Sequence, residues 1–164
     1  MKRIILIVAA VAGLFAAASC QKEGVPASGE VKVSFTVALP DALDTKTIAQ
    51  AENADVVYYE IWNSDWSRQL YPVDSDALAS QPVSGKQAQI EMKLVANQTY
   101  NFIFWAQNEN CGAYNVNELK NVGVDYAVIG AEGNQDKFDA FYAVKTINAA
   151  GAVNETITLY RPFA

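Results

Sequence analysis

The chain has no histidine among its 164 residues. That absence excludes His-dependent triads, imidazole metal sites and histidine pH switches, because no other unperturbed side chain titrates near neutrality. Cysteine is scarce as well, with Cys20 and Cys111 the whole complement. Cys111 sits in "NENCGAY" with no histidine to act as its base, so a papain-like nucleophile is ruled out and the residue reads as a structural or incidental thiol. Cations are few: 12 Lys and Arg face 18 Asp and Glu, for a net charge of −6. Setting aside the segment that holds Lys2 and Arg3 leaves 10 basic against 18 acidic groups, hence −8. Nucleic acid is therefore not an expected partner, since binding phosphates takes concentrated Lys and Arg. The acid groups form no recognisable metal loop either. Asp74-Ser75-Asp76 and the Asp136/Asp139 pair miss the spacing of calcium ligands and read as solvated carboxylates. No metal, no cofactor and no enzymatic activity are expected.

What the chain does have begins at its N-terminus. Lys2-Arg3, an apolar stretch from Ile4 through Phe15, and the small residues Ala16-Ala17-Ala18-Ser19 have the three-part layout of a secretory signal over residues 1–19. The stretch is shorter than the about 20 apolar residues that span a bilayer. Ala18-Ser19-Cys20 resembles the lipobox of bacterial lipoproteins, with Ala17 in place of the usual leucine. The resemblance implies lipidation of Cys20 and cleavage just before it, and several acyl chains at about 0.8 kcal/mol per buried methylene anchor stably to a membrane. Gln21-Lys22-Glu23 is similar to export signals of surface lipoproteins, and a solvated linker is an equal reading. Residues 20–30, with Pro26, Ser28 and Gly29, read as a tether.

The remaining residues, 31–164, read as one all-β domain. "VKVSFTVAL" (31–39) alternates Val31, Val33, Phe35, Val37 and Leu39 with polar residues, which predicts a half-buried strand. "DVVYYEIW" (55–62) is apolar on both faces, as in a strand covered on both sides, with Asn63-Ser64-Asp65 turning into a partner strand over 66–71. Residues 74–85 read as a loop with one helical turn near Asp76-Ala77-Leu78. "QAQIEMKLV" and "TYNFIFWAQ" (99–107), joined by Ala96-Asn97-Gln98, read as the clearest hairpin. Short helices are predicted over Asn115–Leu119 and Asp136–Tyr142, the second from Phe138, Phe141 and Tyr142 at i, i+3, i+4. "AVKTI" and "NETITLY" close the domain. About seven short strands with one or two helices predict an Ig-like or transthyretin-like β-sandwich.

Trp62, Trp66 and Trp105 offer two readings. Exposed, they would form a sugar-stacking platform; packed, they belong to the core or a sheet edge, the commoner fate of strand aromatics. Asn97-Gln98-Thr99 and Asn154-Glu155-Thr156 match the glycosylation sequon, taken here as chance.

The lipobox, "VSFTVALP", the "TK" beyond it, "QTYNFIFWAQNENCGAY", "DAFYAV" and "TITLYRPFA" together resemble a Bacteroides fimbrillin-like family, the N-terminal domain of fimbrial subunits and fimbrium-associated lipoproteins. The resemblance implies a lipid-anchored protein of the outer membrane, displayed at the cell surface or in a fimbrium. It implies a structural or accessory subunit, or an adhesin, whose partners are other fimbrial subunits or a host or bacterial surface receptor. In that mechanism an Arg- or Lys-specific protease cuts after the first strand, and the groove accepts a strand from the next subunit. Here the exchanged strand would carry Val31, Val33, Phe35, Val37 and Leu39, with the cut after Lys46; an ordinary loop lysine is the other reading of Lys46. Characterised members continue beyond "RPFA" into a second sandwich domain that this sequence does not carry. A glycan-binding surface lipoprotein using the three tryptophans is the alternative function.

Overall fold

Period-2 patterning needs a dry face, and two sheets supply it to each other. The computed structural model describes residues 29–40, 51–73, 78–132 and 136–162, and within them the chain is an all-β sandwich. β1 (Glu30–Ala38) turns Val33, Phe35 and Val37 fully inward, as its alternation predicts. β2 (Val56–Asn63) is covered on both faces along nearly its whole length. β3 (Gln69–Tyr71) returns beside it after a turn in which Asn63 Oδ1 accepts from the Arg68 amide at 3.0 Å and Asp65 Oδ1 from the Ser67 amide at 3.0 Å. β4 (Ala79–Pro82) pairs with the first half of β2. β5 (Gln87–Val95) and β6 (Thr99–Gln107) follow. A crossover segment then carries the two-residue strands β7 (Tyr114–Asn115) and β8 (Gly123–Val124), a 3-10 turn at Leu119–Asn121 and the helix α1 (Tyr126–Glu132). β9 (Phe141–Asn148) and β10 (Val153–Thr158) follow.

The first sheet has the order β10-β1-β5 and the second β3-β2-β6-β9 with β4 also on β2, while β7 and β8 form a small ribbon. The core lies between the sheets. Phe35 meets Phe102 and Phe104 edge-on, with ring centroids 4.9 and 5.5 Å away, an arrangement that adds to the burial of three large side chains. Each such side chain contributes about 1.5–3 kcal/mol through the water it sheds. On the solvent side of β1 and β5, Lys32–Glu91 (3.1 Å) and Lys93–Glu30 (3.6 Å) are exposed ion pairs, a kind that adds little stability but keeps the face wet.

Several expectations are corrected. β5 and β6 do not form a hairpin: β5 pairs with β1 and β6 with β2 and β9, so Ala96-Asn97-Gln98 is a corner between sheets. The corner's backbone bonds run outward, from Ala96 N to Gly29 O (2.7 Å) and from Asn97 N to Ala149 O (2.8 Å), instead of across a two-strand turn. Periodicity assigns a residue to a face, and it is silent about which strand lies alongside. The same applies to β9 and β10, which close different sheets, β10 running parallel to β1.

Residues 79–82 form a strand, not a loop; "ASQP" lacks alternation because only Ala79 is buried. The turn predicted near 76–78 lies, apart from Leu78, outside the described residues. The predicted helix over 115–119 is instead the end of β7 and a bent, irregular run into the 3-10 turn. The one over 136–142 shrinks to a 3-10 turn at Asp136–Phe138. Its apparent stripe was three environments: Phe138 fills a small cluster, Phe141 the main core, and Tyr142 faces solvent. α1 was not expected, although Asp125 caps it, its Oδ1 accepting from the amides of Ala127 (2.9 Å) and Val128 (3.2 Å).

Candidate functional site

β1 sits in the middle of its sheet. All nine of its residues have an antiparallel partner on β5, from Glu30 opposite Val95 to Ala38 opposite Gln87, and Val33 through Ala38 have a parallel partner on β10, from Val153 to Thr158. Further backbone bonds hold its ends: Ala96 N to Gly29 O (2.7 Å), Leu39 N to Lys86 O (2.9 Å) and Leu159 N to Ala38 O (2.9 Å). The five residues singled out in this strand, Val31, Val33, Phe35, Val37 and Leu39, are all buried and point into one apolar cluster. The strand thus fills a slot with a hydrogen-bonding edge on either side and an aromatic floor at Phe102 and Phe104. Chemically, such a slot holds an extended segment with an apolar side chain at every second residue. Cys20 and Lys46 lie outside the described residues.

The outer face of the second sheet carries the tryptophans. Trp62 and Trp105 do not form an exposed platform there; they are 8 % and 6 % exposed, beneath the crossover segment with Ile103, Leu119 and Ala140. Trp66, in the turn before β3, packs against the same cluster and is partly exposed. The indole groups are committed to the protein. Trp62 Nε1 donates to Glu60 Oε2 at 2.9 Å and Trp105 Nε1 to Gln107 Oε1 at 2.8 Å. The physical reason is the crossover itself, which a strand-by-strand reading does not place over the sheet.

Glu60 organises this face and carries no mark in a catalytic motif. Its carboxylate is fully buried, and its second oxygen, Oε1, accepts from the Leu119 amide at 2.8 Å, so one side chain ties β2 to the 3-10 turn above it. Lys120 then lies over the Trp62 ring, 4.1 Å from its centroid, and its Nζ donates to the Trp66 carbonyl at 3.1 Å. The crossover is pinned at its start by Asp55, whose Oδ1 accepts from the Glu109 amide at 2.7 Å. It is pinned farther on by Tyr114, whose hydroxyl donates to the Phe138 carbonyl and whose ring meets Trp105 edge-on at 5.4 Å. Burial is the first cause that holds the Tyr58 and Tyr114 phenols above their ordinary range; nearby Glu109 and Asp55 add to it for Tyr58, and Cys111 and Asp139 for Tyr114. A lone glutamate inside the apolar run "VVYYEIW" was the sequence signal for this arrangement.

The Asp136/Asp139 pair is resolved by a cation of the chain: Arg161 Nη2 meets Asp139 Oδ2 at 2.9 Å. Burial raises the Asp139 carboxyl, the Arg161 charge pulls it down, and Asp136 raises it again. Asp74, Ser75 and Asp76 lie outside the described residues. Cys111 is buried and free, packed with Ala113 and Phe138. Among the described residues no helix is long and apolar enough to cross a membrane.

A family of unknown function, DUF6562, matches residues 25–164. The chain belongs to that family. No curated protein matches it. Among solved structures, this DUF6562 chain is similar to a candidate polysaccharide binding protein (DUF1812) of Bacteroides thetaiotaomicron, with a TM-score of 0.48 and 15% identity over 79% of this chain and 46% of that one. It is also similar to a fimbrial assembly protein of Parabacteroides distasonis, with a TM-score of 0.34 and 12% identity over 82% and 53% of the two chains. A third likeness is to the pilus-presented adhesin Cpa, with a TM-score of 0.29 and 13% identity over 85% and 28%. The DUF6562 chain thus spans about half, or less, of the length of these structures.

Proposed function

We propose that this protein is a non-enzymatic, surface-displayed lipoprotein, a fimbrillin-like structural or accessory subunit or adhesin that acts through protein contacts. The observation that carries the reading is the placement of β1. It is an N-terminal strand that occupies a central slot, flanked by β5 on one side and β10 on the other. Its loss would bare two facing backbone edges and the ring faces around Phe102 and Phe104 at once. An edge strand would leave only one open row, so the central position makes the slot selective for a strand of matching register. The signal segment and Cys20 supply the surface tether in this reading, and Lys46 supplies the cut that frees the strand.

The test is the N-terminal mass of the native protein sheared from cells. A lipidated Cys20 with β1 retained would mean a tethered module that keeps its own strand. A start at Thr47 would mean a released strand and an acceptor slot. Refilling of that slot by a synthetic Val31–Leu39 peptide, read as recovered thermal stability, would then establish exchange. An unmodified Cys20 on an intact chain would overturn the anchored reading.

A further inference from the structure

The crossover holds a cleft that neither the strand slot nor the tryptophan cluster uses. It lies where the β7–β8 ribbon meets the start of α1, has a volume of about 370 Å³, and is lined by Gly112, Tyr114, Asn115, Gly123, Asp125 and Tyr126 among others. That volume is at the small end of the range of about 300–1,000 Å³ found for small-molecule sites.

Its construction is specific. Gly112 adopts a φ of +67°, which suits glycine, and leaves the cleft without a side chain at that position. Gly123 stands opposite Asn115 in the ribbon, where a Cβ built on it would meet Asn115 Cβ at an ordinary contact distance of 3.4 Å. Tyr114 is locked by its hydroxyl on Phe138 and its ring on Trp105, giving a rigid wall. Tyr126 is the reverse: 75 % exposed, with its ring open to solvent.

The polar groups are half used. Asn115, an exposed residue in the cleft lining, accepts at Oδ1 from the Asn117 amide at 3.1 Å, a bond that orients the side chain without using its Nδ2 donor. Asp125 Oδ1 accepts from Ala127 and Val128, which likewise leaves Oδ2 as a fixed acceptor. A pre-oriented amide donor and a carboxylate acceptor beside an open aromatic ring suit a ligand that offers neighbouring hydroxyls on one side and a C–H face on the other. That chemistry is a pyranose sugar. The Asp125 charge and the net charge of −6 select against anionic glycans. We infer that the cleft between the β7–β8 ribbon and α1 binds a neutral hexopyranose unit of a glycan, with Tyr126 stacking on the ring and Asn115 and Asp125 holding its hydroxyls.

This goes beyond the proposed display role and does not depend on it. The experiment is calorimetric titration of the full chain, held in a detergent without a sugar headgroup, with neutral oligosaccharides: β-1,4-gluco, β-1,4-manno and α-1,4-gluco hexamers. Heparin serves as the anionic control. Probes at about 10 mM reach saturation for a site of millimolar Kd. The expected result is saturable binding of at least one hexamer and none of heparin. Tyr126→Ala and Asn115→Ala should each weaken binding by about tenfold or more at unchanged melting temperature, while Tyr126→Phe and Trp66→Ala retain it. No binding of any hexamer, or binding that survives Tyr126→Ala, would overturn the inference. Neither outcome touches the strand-exchange reading, which stands or falls on the N-terminal mass.

Discussion

On the inner face of β6, Tyr100, Phe102, Phe104 and Ala106 join Phe35 in the sandwich core; on its outer face, Ile103 and Trp105 lie under the crossover, Gln107 leads into it, and Asn101 is covered by the turn after β2. Both faces are dry, by different means. The inner one excludes water chiefly with apolar side chains, a force proportional to area and blind to direction, with the Tyr59 and Tyr100 phenols the polar groups at its margin. The outer one buries three polar side chains, Glu60, Asn101 and Gln107, at 0 %, 2 % and 3 % exposure, and bonds each. Asn101 Nδ2 donates to the Asn63 carbonyl at 2.7 Å and its Oδ1 accepts from Thr146 Oγ1 at 2.6 Å, while Glu60 and Gln107 take the two indole groups. No buried side-chain nitrogen or oxygen among the described residues lacks a partner. Apolar packing joins two regular sheets that fit by shape. An irregular crossover has no such surface, and directional bonds at fixed points hold it in one place.

The comparison breaks most visibly at Phe35. Its replacement by Ala should cost about 3–5 kcal/mol, because the ring is fully buried against two others and the sheets cannot close the void. Urea denaturation followed by far-UV circular dichroism measures it. A cost below about 1 kcal/mol would mean that the slot is loosely filled, contrary to the packing described.

Glu60→Ala attacks the other face. It strands the Leu119 amide and the Trp62 indole together, at about 2–3 kcal/mol, and Glu60→Gln, which keeps one acceptor oxygen, should recover part of that loss. The distinguishing readout is amide exchange at Leu119 and its neighbours. Those sites should quicken in Glu60→Ala and stay slow in Phe35→Leu, where only the inner face is disturbed.

These two faces were unequally legible in the sequence. β1 and β2 were read nearly to the residue, because alternation in the first and double-sided apolarity in the second report directly on burial. β6 was given the right limits and the wrong neighbour, since the same pattern serves a hairpin and a corner. On the outer face the packed reading of Trp62 and Trp105 holds, but what covers them was not legible. Trp62 and Trp105 look available until the crossover is laid over them, and that placement rests on contacts distant in sequence, such as Glu60 to the Leu119 amide and Asp55 to the Glu109 amide, which no periodicity encodes. Phe138, Phe141 and Tyr142 mimicked a helical stripe by chance of spacing.

A pH titration sharpens the inner face. The Tyr59 phenol is pushed up to about 12 by burial first, and then by Tyr71, whose ring stacks on it at 5.9 Å. A phenol whose folded pKa exceeds the unfolded value near 10 favours the fold while it stays protonated. That stability is therefore complete below pH 10 and is lost as pH rises through about 12. Chemical denaturation at pH 9, 10.5 and 11.5 should show the decline, and Tyr59→Phe should flatten it. An equal decline in both proteins would assign the effect to other groups.

The smallest expected effect belongs to Lys120, and it separates closure of the outer face from its anchoring. The ammonium lies over the Trp62 ring and donates to the Trp66 carbonyl, yet the side chain is exposed, so Lys120→Ala should cost only about 0.5–1 kcal/mol. The Glu60 bonds beneath it remain made in that variant. Amide exchange at Leu119 should consequently stay slow, and the near-ultraviolet signal of the tryptophans should shift only slightly. If Lys120→Ala instead released the crossover as fully as Glu60→Ala, the lysine would be the anchor, and the buried carboxylate would only satisfy donors that the fold had already brought to it.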